Sequence, residues 1–322
     1  MIARLSSQLL ATDAVVPAGG QSHEACLQVW PGVSVEPGVR HHPHVLALAP
    51  GLVSLGNGPG LLESWAVVPN HPQARYRGLA VLENADTLFL AWHGSDADLE
   101  RATREAYMDV FAALQHFGFA YLLRVWNFFS DIHGQAGAGL DRYQAFCAGR
   151  ARALEQYAQP WHAMPAATAI GTATPGLWVY AIAAREPGVA IENPRQVSAY
   201  HYPRLYSPDR PAFARATRVD TEQGPCLLLS GTASIVGHAS RHYGDVRAQT
   251  HEILANLEAL RQAAGSDISA LAWLRVYVRH PEDQPAIAAV LSGHYRSLPP
   301  TQWVYGEVCR PELLVEIEGV HA

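Results

Sequence analysis

Apolar residues recur along this chain with two periods, and the order in which those periods alternate is itself repeated. Residues 87–92 form a β-rich run, and residues 99–117 place Tyr107, Val110, Phe111 and Leu114 at helical spacing. Residues 121–129 read as another strand. A loop carrying Gly134, Gly137 and Gly139 then leads to a second helix over 140–157 and to strands over 165–172 and 177–184. The same order returns further on. A strand over 227–230 precedes a helix over 245–263 that sets Ile253, Leu254, Leu257 and Leu260 on one face; a strand over 271–279 and a helix over 281–295 follow. Two closing strands lie within 303–319, joined by a tight turn at 310–312. The entrances correspond as well, 76–83 in the first copy and 214–220 in the second.

A unit of strand, strand, helix, strand, helix, strand, strand packs both helices on one face of a mixed sheet, which is an α+β architecture. Two such units in tandem imply duplication, with a first domain over 1–190 and a second over 191–322. Residues 1–60 are frequent in Gly and Pro and poor in periodicity, so they read as an arm with short strands such as 45–48. A doubly wound parallel sheet is the competing architecture, but no glycine-rich phosphate loop follows any strand. Gly231 to Gly237 lacks the Lys and the spacing of a P-loop.

The closing strand carries an anomaly. Val315 and Ile317 share one face, while Leu314, Glu316 and Glu318 share the other. A carboxylate buried without a partner costs several kcal/mol, so such a strand either lies at an exposed edge or lines a cavity. Glu316 is read as lining a cavity and Glu318 as its exposed neighbour. The corresponding strand of the first unit, 177–184, has no acid, so the fold does not require one.

Composition narrows the chemistry. With 322 residues, 49% hydrophobic and 16% charged, the chain can bury a large core. A net charge of -6 and a pI near 6.2 argue against nucleic acid or an anionic membrane as partner, so an anionic ligand needs a few placed arginines. The first ten residues carry one positive charge and no apolar core of signal-peptide length, and no run approaches a transmembrane span; the expected location is cytoplasmic. The four cysteines are dispersed and read as free thiols. There is no His-Glu-x-x-His, His238 and His242 fall in an expected loop, and His41-His42-Pro43-His44 reads as a polar loop, so neither metal nor cofactor is expected.

Arg150 falls on the apolar side of its helix with Tyr143, Cys147 and Leu154, and a buried guanidinium needs an anion: a ligand carboxylate or an internal Asp or Glu. Arg204, among aromatic neighbours, either caps a ligand pocket with the Tyr206 hydroxyl or lies in an ordinary surface loop. Arg310 is read as facing away. Trp126 and Asn127 are ligand contacts or first-unit core.

Leu229-Ser-Gly-Thr-Ala-Ser, Gly244-Asp-Val-Arg-Ala-Gln-Thr, Ile253-Leu-Ala-Asn-Leu, Val276-Tyr-Val and Leu314-Val-Glu-Ile-Glu-Gly resemble the Rid/YjgF superfamily. Its imine deaminases carry an arginine on the penultimate strand, where this chain has Gln302 or Trp303, which counts against that chemistry. Over most of its length the chain is more similar to the chorismatases. That similarity rests on Arg124-Val-Trp-Asn-Phe, Tyr143-Gln-Ala-Phe-Cys-Ala-Gly-Arg150, Pro165-Ala-Ala-Thr-Ala-Ile-Gly-Thr172, Glu192-Asn-Pro-Arg-Gln-Val-Ser-Ala-Tyr200 and Ser230-Gly-Thr-Ala-Ser-Ile-Val-Gly-His238. It looks closest to the hydroxybenzoate-forming members of xanthomonadin-type aryl polyene pathways.

The resemblance implies two Rid/YjgF-like units, the first degenerate, and a cofactor-free enzyme cleaving chorismate to pyruvate and a hydroxybenzoate. The 3-isomer is the foremost product, with the 4-isomer alongside it. Hydrolysis to a dihydroxycyclohexadiene carboxylate and deamination of a 2-imino acid are the alternatives. It also places the active-site acid at Glu316, protonating the enol-ether methylene, and a product-steering thiol at Cys309, with Ala233 as a pocket wall. Such a chain is a monomer or a homotrimer.

Overall fold

The computed structural model describes residues 6–11, 25–29, 38–42, 45–55, 61–67, 74–137, 139–157, 164–204, 206–265, 267–268 and 270–322. Strands β1 (Ser6–Ala11), β2 (Ala25–Val29), β3 (Gly38–His42), β4 (Val45–Ala49) and β5 (Leu61–Val67) form a five-stranded sheet in the order β1-β5-β2-β4-β3. The arm is thus a sheet of short strands. His41 and His42, expected in a loop, end β3 instead, because they pair with Leu46 and Val45; Pro43 and His44 lie outside the described residues.

The first repeat comprises β6 (Ala74–Tyr76), β7 (Leu79–Glu83), β8 (Thr87–Gly94), α1 (Leu99–Phe117) and β9 (Tyr121–Ser130). A small ribbon, β10 (Gln135–Gly137) with β11 (Leu140–Asp141), leads to α2 (Arg142–Gln156), β12 (Ala166–Thr172) and β13 (Leu177–Ala184). The second comprises β14 (Val189–Ile191), β15 (Ala216–Thr221), β16 (Gly224–Ala233), the ribbon β17 (Ile235–Val236) with β18 (Ala239–Ser240), α3 (Val246–Ala264), β19 (Leu271–Val278), α4 (Gln284–His294), β20 (Thr301–Tyr305) and β21 (Val315–His321). The chain crosses between them at residues 185–188.

The two six-stranded sheets have orders β12-β9-β13-β8-β7-β6 and β20-β19-β21-β16-β15-β14. Element by element these are the same sheet, with β12 parallel to β9 as β20 is to β19, so the duplication seen in the periodicity is also one of topology. The expected terminal hairpin is not present. β20 and β21 do not pair; β19 lies between them, parallel to the first and antiparallel to the second. A parallel pair requires a crossover, which α4 supplies, and the segment 306–314 then passes over β19 to bring β21 between β16 and β19. The turn at 310–312 belongs to that crossing segment. Arg279 holds it, donating to the carbonyls of Val308 (2.8 Å), Arg310 (3.0 Å) and Pro311.

Helices α1, α2 and α3 begin where a side chain can satisfy their first amides. Asp98 accepts from Arg101, Asp245 from Ala248, and Asp141 and Gln144 form a reciprocal capping box that starts α2 two residues later than its apolar run suggests. α1 and α2 cover one face of the first sheet, and α3 and α4 one face of the second, where Val315 and Ile317 are buried. The helix-free faces meet in a shared core. Phe128, Trp178 and Tyr180 from the first sheet pack with Trp273, Tyr277 and Val320 from the second, and Leu46, Leu48 and Trp65 from the arm fill the same core. Glu316 and Glu318 project into this interface by the period of two. Among the described residues no helix is long and apolar enough to cross a membrane.

Candidate active site

β21 carries Glu316 opposite Ala233 of β16 and Tyr277 of β19. The register of β16 slips between Leu229 and Thr232, and Gly231, within the slip, donates its amide to Thr168 Oγ1 at 2.9 Å. A methyl group built on Gly231 would overlap the Glu316 carboxylate, so the side chain needs a glycine there to adopt its place. Glu316 is 5% exposed and its carboxyl makes no hydrogen bond with a described residue. Burial first, and the neighbouring Glu318 second, push its pKa up to about 8 against the opposing pull of Arg124 and Arg215.

The carboxyl opens into a cavity of about 320 Å³ between the two repeats. β12 and α2 contribute one side; β16, β21, residues 309–312 and the segment 202–215 contribute the rest. Arg150, Tyr206, Ala233, Cys309 and Glu316, drawn from widely separated parts of the sequence, all line it. Arg204 does not: its side chain is exposed, because the turn containing it directs Tyr206 inward and the arginine outward. Glu318, expected at the surface, is wholly buried, because β21 is an interior strand whose helix-free face meets the first repeat.

Three guanidinium groups face the cavity. Arg150 is 3% exposed, lies over the Phe146 ring at 4.9 Å and leaves Nε without a partner. Arg215 donates to the Val197 carbonyl at 2.9 Å and the Tyr202 hydroxyl at 2.7 Å, with its Nε likewise unpartnered. Arg310 stacks over Tyr206 at 3.8 Å and donates to the His238 carbonyl and Ser240 Oγ. No described carboxylate forms a salt bridge with any of the three, so the internal acid that would have explained Arg150 is not among the described residues. The Ser207 hydroxyl, also at the cavity, is buried and unpartnered.

Arg310 had been read as facing away on the assumption that a strand continues through it. It sits in the crossing segment, where Pro311 ends extended pairing and turns it inward. Arg215 was missed altogether, although an arginine within the apolar run 212–216 is the same signal that singled out Arg150. Tyr206 donates or accepts at His238 Nδ1 (3.1 Å), which orients its ring beneath Arg310. Burial and the adjacent Glu316 push the Cys309 thiol up to about 12, so it is neutral at ordinary pH and is a wall of the cavity, not a thiolate nucleophile.

Trp126 and Asn127 lie in the core: Trp126 donates to Glu318 at 3.1 Å, and Asn127 accepts from Tyr107 at 2.9 Å. Gln302 accepts from Arg275 and does not line the cavity. Among the described residues no group of three or more His, Cys, Asp or Glu is arranged to hold a metal ion. The site combines an uncharged buried acid with cations that form no salt bridge with a described carboxylate. It is suited to binding an anion and delivering a proton to it.

Residues 63–183 match the family described as chorismatase FkbO/Hyg5-like, N-terminal. The chain is 41% identical to a 3-hydroxybenzoate synthase of Streptomyces hygroscopicus over 233 residues, 68% of each chain. It is 34% identical to a chorismatase of Streptomyces rapamycinicus over 274 residues, covering 81% of this chain and 82% of that one. A crystal structure of a chorismatase superposes with a TM-score of 0.86 at 29% identity, covering 100% of this chain and 99% of the other.

Proposed function

The chain belongs to the chorismatase family, and on that premise we propose that it cleaves chorismate to pyruvate and 3-hydroxybenzoate. The observation that carries the reading is the convergence of a buried, unbonded Glu316 with Arg150, Arg215 and Arg310 on one cavity. Chorismate has two carboxylates and an enol ether. The arginines take the carboxylates, and Glu316 gives its proton to the enol-ether methylene; the adjacent carbon becomes an oxocarbenium centre, the C4 hydroxyl oxygen gives up its proton and closes onto C3 as the ring C3–O bond breaks, and pyruvate leaves with the ether oxygen. The 3,4-epoxide so formed opens at C4, and loss of the C3 proton leaves the hydroxyl of 3-hydroxybenzoate on C3. A carboxyl with its pKa near 8 retains the proton at neutral pH and can also take it back from the ring product.

Chorismate is isomeric with pyruvate plus hydroxybenzoate, so no water enters overall, whereas the diene diol requires one. Cys309 and Ala233 form an apolar wall beside Glu316 and Val308, which supports exclusion of that water. Purified protein incubated with chorismate and a metal chelator should release pyruvate and 3-hydroxybenzoate, followed by coupled reduction and chromatography. Diene diol as the main product would assign the hydrolytic reaction, and 4-hydroxybenzoate would mean that the ring oxygen stays on C4. Absence of pyruvate would overturn the reading. Glu316→Gln should lower kcat by about a hundred- to ten-thousandfold with the fold kept; wild-type turnover would remove Glu316 from the acid's role.

A further inference from the structure

Glu318 lies two residues beyond Glu316 on the same face of β21, in the opposite chemical setting. Its two oxygens accept from Arg124 Nη2 (2.6 Å), Arg275 Nη1 (2.9 Å), the Tyr277 hydroxyl (2.9 Å), Trp126 Nε1 (3.1 Å) and Thr168 Oγ1. Arg275 continues to Glu63 of β5 at 2.6 Å, and Glu63 also accepts from Trp65 and from Tyr180 at 3.2 Å. Two acids and two guanidiniums thus form a neutral buried relay through all three sheets.

Five donors, two of them cationic, hold Glu318 ionised. Burial alone would raise its pKa, but Arg124 and Arg275 with the hydroxyl donors outweigh that and hold it below the usual carboxylate range. Two carboxylates this close in a low-dielectric interface cannot both carry charge cheaply, so the charge resides on one and the proton on the other. The groups facing Glu316 agree with that division. Arg124 from β9 is committed to Glu318; Arg215 from the β15 side donates elsewhere; the Tyr277 hydroxyl on β19 is committed to Glu318; Cys309 is a neutral thiol. None of these four is an ionic partner of Glu316, and of the other cations on the cavity Arg150 lies over Phe146 and Arg310 donates to the His238 carbonyl and Ser240 Oγ.

We propose that Glu318 is a positioning residue for proton delivery: a permanent anion, fixed by Arg124 and by the Arg275–Glu63 relay, that keeps the proton of the pair on Glu316. This rests on the reading of Glu316 as the acid. Glu318 acts twice over, repelling a second negative charge directly and neutralising Arg124, which would otherwise attract one.

The test uses the full chain. The infrared band of the protonated carboxyl is titrated without substrate in wild type and assigned by its loss in Glu316→Gln; kcat/KM for pyruvate release is measured over the same pH range. In wild type the assigned band should disappear near pH 8, and the alkaline limb of kcat/KM, which reports the free enzyme, should coincide with it. In Glu318→Gln both should move acidward by about one pH unit or more. In Arg124→Gln, where Arg275 still holds Glu318, both should move alkaline. An unshifted midpoint in either folded variant overturns the proposal, and so does a wild-type band titrating in the ordinary carboxylic range, whether or not the variants fold. A band that behaves as stated in a protein releasing no pyruvate from chorismate would sustain the pair and overturn the substrate; pyruvate release without the shifts would overturn only the pair.

Discussion

At the scale of single residues, the cavity is defined by groups whose ordinary partners are withheld. Glu316 has a folded pKa near 8 against an ordinary value of 4.5, so folding favours its protonated form. The stability it contributes is fully present below about pH 4.5 and is lost as pH rises through about 8. Glu316→Gln removes that loss. The variant should be as stable as wild type at pH 5 and more stable at pH 9, by on the order of 5 kcal/mol; calorimetry at the two pH values checks this. Arg150 is complementary. Because it has no internal anion, Arg150→Met should leave the melting temperature of the substrate-free protein unchanged or raised. Its Michaelis constant should rise roughly ten- to hundredfold, the effect of losing one charge-assisted contact. A lower melting temperature with an unchanged Michaelis constant would assign Arg150 to the core.

At the scale of elements, the site depends on one irregularity. β16 slips its register beside Gly231, and Glu316 occupies the space a Cβ would need. Gly231→Ala should force Glu316 from its rotamer, costing about 1 kcal/mol of stability and at least about tenfold in kcat; thermal melts with steady-state assays separate the two effects. The helix over 99–117 and the strand over 177–184 were legible in sequence because their periodicity is local and strong. The terminal pair was not. Two β-rich runs with Arg310-Pro311-Glu312 between them describe a hairpin and a crossing segment equally well, and only the insertion of β19 distinguishes them. Arg310 was misplaced for the same reason, while Arg150 was found because an arginine on the apolar side of a helix is a local contradiction.

At the scale of the whole molecule, duplication produced two sheets of one topology, and only the second kept acids on its inner strand. The core-facing side of β13 instead carries Trp178, Tyr180 and Ile182, which pack in the shared core. The arm is joined to β21 by charge, since Glu63 pairs with Arg275, which pairs with Glu318. Breaking a buried pair from one side leaves a charge uncompensated, so Glu63→Gln should destabilise the protein by roughly 3 kcal/mol and lower its melting temperature by several degrees. An unchanged melt would mean that the arm's contribution to the relay is negligible.

The sequence by itself determined the repeated order of elements and the placement of Glu316 and Glu318 on one face of β21, because helix and strand periods are properties of neighbouring residues. It also marked Arg150 as a cation needing an anion. The roles of the two glutamates were decided only by tertiary structure. Read locally they are alternate residues of one strand, and the choice of Glu318 as the exposed one was wrong. Folding brings Arg124, Trp126 and Thr168 from the first repeat onto Glu318 and leaves Glu316 facing a cavity. Charge is stabilised by the donors that surround it, and three of the five come from residues more than a hundred positions away.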